Sequence, residues 1–299
     1  MTPEEMVSRV LYRDGLMLVI DKPAGMAVHA GPPNSRNQNE SIEDHFDALR
    51  FGLPRRPALA HRLDRDTTGC LILGRHRKAL AQLGRLFRSG AVDKTYWAVV
   101  EGEPQTDEGV IDIPLGRLDA TRGWWMKPDP QGQPSVTKWK VMGRCSFTSS
   151  CRGEVDLKQA DRVGVLGLAA SPHPDVALEH GIDPPPAGEG KKLSWLALEP
   201  LTGRTHQLRV HCAEMGWPIL GDGIYGRAPR TGGTPLHLHA REIVVPLYKS
   251  REPIRVVAPV PEHMRAAFAD CGWQAKSTED KPQKEEEPLQ SRRAAPVGE

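Results

Sequence analysis

Two carboxylates lie two residues apart in the segment HRLDRDTTG, which covers residues 61–69. Arg65 adjoins both of them, and a neighbouring guanidinium favours the ionised form of a carboxylate, so either could act as a nucleophile or a general base. Aspartate also caps turns, and Asp66 precedes two threonines and a glycine. We therefore expect Asp64 to be the reactive carboxylate. For Asp66 we favour a turn-capping role over a role as its partner.

The elements that must position Asp64 are predicted from the apolar pattern around it. CLILGR at 70–75 predicts a buried strand directly after the charged segment, which places Asp64 on a connection between two strands. Residues 76–90 have an apolar face and a basic face, which predicts an amphipathic helix closed by Gly90. The β-branched and aromatic run at 92–102 predicts the next strand.

Strands and helices follow each other in mixed order along the rest of the chain. Few of them alternate as βαβ units require, so we expect an α+β fold built on a largely antiparallel, mixed sheet. The remaining predicted elements are a strand, a turn and a strand within 16–31, a helix at 41–50 with Ser41 as its N-cap, strands at 135–142, 193–199 and 236–245, and helices near 205–215 and 261–270.

The chain is expected to form one domain over residues 1–273, followed by a tail. Between 145 and 192 the sequence has scattered glycines, several prolines and little apolar periodicity, which predicts an irregular surface insertion. Residues 274–299 contain no aromatic and almost no aliphatic side chains, so this charged tail should be disordered.

The composition excludes several classes of protein. Charged residues make up 26% and hydrophobic residues 38% of the chain, which is ordinary for a soluble protein. No apolar run approaches the roughly 20 residues that span a bilayer, and the N-terminus lacks the apolar segment of a secretory signal. The five cysteines show no CxxC spacing. Free thiols in a reducing compartment are therefore expected, and with them a cytoplasmic location.

Positive charge is concentrated in one stretch, although the net charge of the chain is only +2. This stretch, 50–88, has ten arginines and lysines against two aspartates, a local excess of eight. Such an excess fits a polyanionic partner, of which nucleic acid is the commonest, about as well as it fits a solvated basic face. The ten are residues 50, 55, 56, 62, 65, 75, 77, 78, 85 and 88.

A second polar block lies at 198–226, LEPLTGRTHQLRVHCAEMGWPILGDGIYG. A turn before Arg204 would let its guanidinium project from a strand end at a helix start, where the planar fork could bind a buried carboxylate with two hydrogen bonds. His206, Gln207 and Arg209 could donate to phosphates or bases. Taken singly, His206 and Arg209 fit the surface of a basic helix start equally well.

Histidines and a tyrosine raise two further hypotheses. His237 and His239 alternate on one strand, which could suit a metal, but no ligand set of familiar spacing surrounds them, and we favour packing or RNA-facing roles. Tyr96 lies in the middle of a predicted strand. Core packing with a hydrogen-bonded hydroxyl would be enough to account for it.

Four segments together resemble the RluA family of pseudouridine synthases. HRLDRDTTGCLILGR is similar to the family's HRLDxxTSG signature, with Thr68 where serine is common, and DKPAGMAVHAG resembles its KPxG segment. VDKTYWAVVEG is similar to its KxY strand, and LTGRTHQLRVHCAEMGWPILGDGIYG to its TGRTHQIR segment. The matches follow the family's order over roughly residues 10–260, apart from the insertion. The resemblance implies a pseudouridine synthase-like domain with a central cleft and flanking helices.

The resemblance also implies roles for individual residues. Asp64 would be the essential aspartate, Arg204 its salt-bridge partner, and Tyr96 the tyrosine near C5 of the uracil. Arg62 would enter the RNA stack in place of the flipped base, and Ile72 would line the uracil pocket. The other residues expected to contact RNA are His61, Arg65, His206 and Arg209.

The activity implied is isomerisation of uridine to pseudouridine in structured RNA, either tRNA or an rRNA stem-loop, without a metal or organic cofactor. No DNA or membrane partner is expected, nor an N-terminal S4 domain, and we expect a monomer. A non-catalytic RNA-binding or ribosome-assembly factor on the same fold is the main alternative. Asp64, Tyr96 and Arg204 together argue against it, since binding alone needs none of them. A metal-dependent nuclease using Asp64 and Asp66 would need further carboxylates.

Overall fold

The computed structural model describes four stretches of the chain: 1–30, 40–119, 125–146 and 192–275. The predicted insertion at 145–192 and the predicted tail at 274–299 lie outside these stretches, except for two or three residues at their borders. None of the helices in the described stretches has the length and apolar composition needed to cross a membrane.

Strands and helices mix along the chain as the sequence predicts. The helices are α1 (Pro3–Ser8), a 3-10 helix (Ile42–Leu49), α2 (Arg77–Arg88), α3 (Gln207–Glu214) and α4 (Glu262–Asp270). The strands are β1 (Val10–Arg13), β2 (Met17–Lys22), β3 (Ala58–Leu59), β4 (Thr68–Gly74), β5 (Asp93–Glu101), β6 (Glu108–Asp112), β7 (Leu115–Arg117), β8 (Met126–Pro128), β9 (Val136–Ser146), β10 (Lys192–Pro200), β11 (Leu238–Val245) and β12 (Ile254–Val257).

One large sheet organises the described part of the fold. Its ten strands include the continuous path β1-β2-β4-β11-β5-β10-β9-β6, with β3 paired to β4 and β12 to β11. Strand β4 runs parallel to β11, whereas the other pairs in this sheet are antiparallel. The predicted α+β fold with a largely antiparallel, mixed sheet is confirmed.

Helices cover both faces of the central strands, because alternate residues of a strand point to opposite faces. On β5, Ala98 and Val100 pack in a cluster with Leu208 of α3, while Val99 packs on the other face with Phe268 of α4. The two apolar faces of the middle strands are therefore each buried by one helix. The flanking helices implied by the resemblance are present.

Strand β4 is buried along its whole length, and it carries the loop of interest at its start. Leu71 packs with Phe46 of the 3-10 helix, whereas Ile72 packs on the opposite face with Leu83 of α2. This double burial fits a strand beside a parallel neighbour.

The first residues of β4 are held tightly against β11. Gly69 has a φ of +100°, and a Cβ atom there would clash with the carbonyl oxygen of Ala240, so only glycine fits. The hydroxyl of Thr68 lies 2.8 Å from Nδ1 of His239, which is fully buried. His239 therefore packs and bonds inside the sheet, as the packing hypothesis expects. In the described stretches, no three metal-ligating side chains cluster.

The structure differs from the predicted elements in several places. Only the first of the two strands expected within 16–31 forms, and Ala27 contributes an isolated bridge to Ser41 where the second was expected. The hairpin of β7 and β8 was not predicted, because its strands have three residues each and little apolar alternation. Strand β8 of this hairpin reaches the site, since the backbone N–H of Met126 donates to the hydroxyl of Tyr225.

Candidate active site

Asp64 lies on the loop between β3 and β4, as predicted, at the centre of the sheet. The backbone N–H of Thr67 donates to the carbonyl oxygen of Asp64 at 3.2 Å, which closes a turn over Arg65 and Asp66. The side chain of Asp64 is 18% exposed, so the turn presents it at the floor of a cleft and not on the open surface.

Lys22, the last residue of β2, holds this turn from below. Its ammonium group is fully buried and donates to the carbonyl oxygens of Pro23, Arg65 and Thr67 at 2.8, 2.7 and 2.9 Å. Burial lowers the pKa of Lys22 to about 7, against the nearby carboxylates Asp66 and Asp64, which raise it. Three donors meet three acceptors, which fixes the loop on both sides of Asp66. The sequence analysis did not identify Lys22, and the signal that could have done so is its position directly before the proline of the KPAG segment.

Two cationic or cation-forming side chains face the carboxylate of Asp64, and both approach Oδ2. Nε2 of His206 lies 3.9 Å from it, and Nη1 of Arg209 lies 4.0 Å away. Among the described residues, Arg204 forms no ion pair with Asp64. The predicted Arg204–Asp64 salt bridge is therefore wrong, and Arg209 occupies the place it was expected to fill.

The start of α3 explains the exchange of arginines. The helix begins at Gln207, so Arg204 lies on the exposed loop before it, and its Nε donates to the carbonyl oxygen of Pro134 at 3.1 Å. Arg209 lies in the first turn of the helix and is 4% exposed. The helix thus points one arginine into the protein, and the loop turns the other outward.

Arg209 is itself fixed by a second carboxylate, Asp222. Its Nε and Nη2 each donate at 2.7 Å to the two oxygens of Asp222, a bidentate pair. Burial opposes ionisation of Asp222, but the hydrogen bonds and charge of Arg209 outweigh it, so the pKa of Asp222 lies below its ordinary value. The third nitrogen of the fork, Nη1, is the one that faces Asp64.

Tyr96 enters the cleft from β5, as predicted. It lines the same cavity as Asp64 and is half-buried against apolar neighbours. Burial, and then the charge of Asp64, raises the pKa of Tyr96 well above its ordinary value. The tyrosine is therefore a neutral phenol in the free protein.

The cavity above Asp64 has a volume of about 110 Å³. Its apolar lining comes from Leu63, Leu208 and Leu238. Ile72, which was expected here, is fully buried in the core on the α2 side and does not line this cavity. That prediction is corrected, and Leu208, next to Arg209 on α3, is an aliphatic residue that does line it.

His61 does not present a charge to the cleft. Its Nε2 accepts a hydrogen bond from the backbone N–H of Ile72 at 2.9 Å, and its ring stacks on Phe87 at 4.8 Å between centroids. Burial lowers the pKa of His61 to about 3, so the ring is neutral. The ring thus joins the loop to β4, and the expected contact of His61 with RNA stays a prediction, since His61 also lines the groove beside the cavity.

The two arginines of the loop differ in their surroundings. Arg62 is exposed and lines both the cavity and a larger groove of about 1,050 Å³ beside it. Arg65 is also exposed, and its Nε donates to the carbonyl oxygen of Gly25 at 2.9 Å, which ties the loop to the turn after β2. Four cations line the groove, Arg62, Arg88, Lys94 and Arg204, together with three carboxylates, Asp93, Glu199 and Glu242.

The comparisons with known proteins identify the family. The fold and the site define an α+β enzyme with a carboxylate at the floor of a basic cleft. A sequence model described as RNA pseudouridylate synthase matches residues 16–214. The chain belongs to this family, and it is an RNA pseudouridine synthase, an isomerase that converts uridine in RNA to pseudouridine.

Individual relatives agree with that assignment. An RNA pseudouridine synthase of Zymomonas mobilis is 33% identical over 270 residues, which cover 90% of this chain and 99% of the relative. The ribosomal large subunit pseudouridine synthase C of Haemophilus ducreyi is 29% identical over 272 residues, 89% of this chain and 69% of the relative. The solved structure of human RNA pseudouridylate synthase domain containing 4 superimposes with a TM-score of 0.62 at 25% identity, over 91% of this chain and 96% of that one.

Proposed function

We propose that Asp64 is the catalytic carboxylate of this pseudouridine synthase and that Arg209 and Tyr96 act beside it. The observation that supports the proposal is the meeting of three separate elements at one cavity. The β3–β4 loop brings Asp64, β5 brings Tyr96, and α3 brings Arg209. An RNA-binding factor without catalysis would have no use for a carboxylate that an arginine faces at the floor of its cleft, since a carboxylate repels phosphate.

The chemistry requires the target uridine to leave its stack, because no side chain can otherwise reach both C1′ and C5. Asp64 then acts at the glycosidic bond, C1′ separates from N1 of the uracil, and the base turns within the cavity until C5 bonds to C1′. The C5 proton leaves last. Tyr96 is the proposed acceptor, and because it starts as a neutral phenol, it must pass its own proton on, for which the Asp64 carboxylate is the nearby acceptor.

The larger groove supplies a path for the RNA on either side of the flipped nucleotide. It opens next to the cavity, with which it shares Arg62, Lys94 and Arg204, and it continues to Arg88 at the end of α2. Cations along a groove bind phosphates irrespective of the RNA sequence, and an RNA stem-loop presents such phosphates beside unpaired bases that can be flipped out. We propose that this groove holds the strand that flanks the target.

Arg62 is proposed to fill the gap that the extruded base leaves. It is exposed at the junction of cavity and groove, and a planar guanidinium can stack between bases. Arg62→Ala should lower single-turnover rates by about tenfold on a uridine within a duplex, and by about threefold or less on one in a flexible loop. The comparison uses two RNAs of the same loop sequence, with and without a closing stem. Equal losses on both would remove the base-replacement role.

The target is proposed to be a stem-loop of rRNA or tRNA, which the enzyme modifies in the cytoplasm as a monomer. The named activities of bacterial relatives on the large ribosomal subunit support an rRNA target. The described cysteines 70, 212 and 271 carry free thiols, in keeping with a reducing compartment. Pseudouridines mapped in total RNA from cells with and without the protein should differ at stem-loop uridines. Loss confined to messenger RNA would refute the target class.

A further inference from the structure

A tyrosine outside the family roles assigned above makes two hydrogen bonds beside the active site. The hydroxyl of Tyr225 accepts from the backbone N–H of Met126, on β8, at 2.9 Å, and it lies 2.8 Å from Nδ1 of His206. Burial raises the pKa of Tyr225 to about 12, so the hydroxyl keeps its proton at neutral pH. Because Met126 can only donate, the hydroxyl proton is free to be given to Nδ1 of His206.

His206 is set up to be neutral and immobile. It is 7% exposed, and burial lowers its pKa, against the nearby charge of Asp64, which raises it. A neutral imidazole carries one N–H, and when Nδ1 accepts a hydrogen bond, that N–H lies on Nε2. Nε2 is the nitrogen that lies 3.9 Å from Oδ2 of Asp64.

We propose that Tyr225 fixes His206 as the Nε2–H tautomer, and that this N–H positions the Asp64 carboxylate for attack on the nucleotide. His206 is thus a positioning residue that acts through Asp64, and Tyr225 is the residue that sets it. The inference rests on the proposed role of Asp64. It replaces direct RNA binding as the function of His206.

The carboxylate oxygen that His206 approaches determines how the contact can position Asp64. His206 and Arg209 both approach Oδ2 of Asp64, and the proposal assigns the other oxygen, Oδ1, to the substrate. At 3.9 Å, the N–H is too far for a hydrogen bond in the free protein, and a shift of about 1 Å on substrate binding would form one. A neutral N–H fixes the orientation of the Asp64 carboxylate and leaves its negative charge uncompensated. An imidazolium cation would compensate that charge and make the carboxylate a weaker nucleophile.

The backbone of His206 is strained, which fits a residue placed for function. Its φ is +51°, a left-handed conformation that non-glycine residues adopt at a cost. Tyr225 is held equally firmly, since its backbone N–H donates to Asp222 at 3.0 Å and its ring lies 5.3 Å from the guanidinium of Arg209. Asp222, Arg209, Tyr225 and His206 thus form one assembly around Asp64, and the β7–β8 hairpin completes it through Met126.

The tautomer can be observed directly. Long-range proton–nitrogen NMR spectra of the ¹⁵N-labelled full chain distinguish Nε2–H from Nδ1–H, and His206→Gln identifies the signals of His206. We expect Nε2–H in the unmodified protein, and a mixture of tautomers in Tyr225→Phe. An Nδ1–H tautomer in the unmodified protein, or the same pure Nε2–H form in Tyr225→Phe, would overturn the proposal.

Kinetics test whether the tautomer matters. Tyr225→Phe should lower the single-turnover rate at saturating RNA by about tenfold, the worth of one positioning hydrogen bond, without changing RNA affinity. Tyr248→Phe is the matched control, because its hydroxyl also makes a side-chain hydrogen bond, to Asp14, but away from the cleft. A Tyr225→Phe rate equal to that of the control would contradict the positioning role.

Two substitutions of His206 separate positioning from backbone strain. Asparagine tolerates the left-handed conformation better than glutamine does, but the glutamine amide is the longer one and reaches toward Asp64. His206→Gln should therefore be at least about threefold faster than His206→Asn, although the latter should be the more stable to denaturation. The reverse order of rates would show that His206 only supports the backbone. If instead Asp64→Asn were active, the proposed role of Asp64 itself would fail.

Discussion

Replacing Asp64 with asparagine is expected to abolish pseudouridine formation, with a loss of at least about 1,000-fold in rate. The amide has nearly the same shape as the carboxylate but cannot act as a nucleophile or accept a proton in its place. The measurement is the pseudouridine content of a modified RNA after digestion and chromatography. A residual rate near that of the unmodified enzyme would refute the catalytic role of Asp64.

Asp64→Asn should leave the fold and the RNA affinity intact, and this provides its control. The turn around residue 64 is made by backbone atoms and by Lys22, which donates to carbonyl oxygens and not to the Asp64 side chain. Removing one negative charge from a basic cleft should, if anything, tighten phosphate binding slightly. The thermal unfolding midpoint and the dissociation constant for RNA would both be measured. A variant that fails to bind RNA would not support a catalytic role.

The second large effect concerns the two arginines at the start of α3. Arg209→Met should lower the rate by about 100-fold, because Asp64 loses the guanidinium that faces it. Arg204→Met, the matched control, should stay within about threefold at saturating RNA, since Arg204 lines the proposed RNA groove and binds a backbone carbonyl, so that its loss should weaken RNA binding more than the step at Asp64. The two rates would be measured on one RNA at saturating concentration. Inactivity of Arg204→Met with an active Arg209→Met would restore the pairing first expected from the sequence.

Stability distinguishes loss of chemistry from loss of the fold in Arg209→Met. That change leaves Asp222 buried without its partner and should cost about 3–5 kcal/mol in free energy of unfolding. Arg209 holds the pKa of Asp222 below its ordinary value, so this stabilisation is complete above the ordinary carboxyl pKa and is lost as the pH falls through the folded value. Arg209→Lys keeps a charge but lacks the fork. It should be more stable than Arg209→Met and still slow, as denaturation curves and rates would show.

The sequence located the loop and the strand that carry the proposed chemistry. HRLDRDTTG lies mainly on the connection between β3 and β4, and KTYWAVV lies in β5, as predicted. A short charged run between two buried strands can hardly be anything other than a loop. The family, the fold class and the reaction followed from four motifs in order, and the comparisons confirm all three. The residues that touch each other within the site were harder to predict.

The Arg204 prediction failed because of a helix boundary. Arg204 and Arg209 are five residues apart in one motif, and either could have faced a carboxylate. The choice depends on where the helix begins, and it begins at Gln207, so that only Arg209 points inward. Boundaries of elements are the least certain part of sequence reasoning.

The Ile72 prediction failed, and the structural role of His61 was missed, for reasons of packing. Strand β4 is buried on both faces, so its apolar run carries no alternation that could assign Ile72 to the cleft or to the core. His61 bonds to the backbone of Ile72, eleven residues away, through a pairing that forms only when the loop folds back on the strand. Lys22 and Tyr225 were missed for a similar reason, since their partners lie far away in the sequence.

The most direct test of the account is tritium release from RNA labelled at C5 of the target uridine, measured in a single turnover. Isomerisation expels the C5 proton, so release reports the completed reaction and not binding. We predict release by the unmodified enzyme and by Arg204→Met, and none above the enzyme-free rate by Asp64→Asn with the RNA fully bound. Release by Asp64→Asn at the rate of the unmodified enzyme would contradict the central claim.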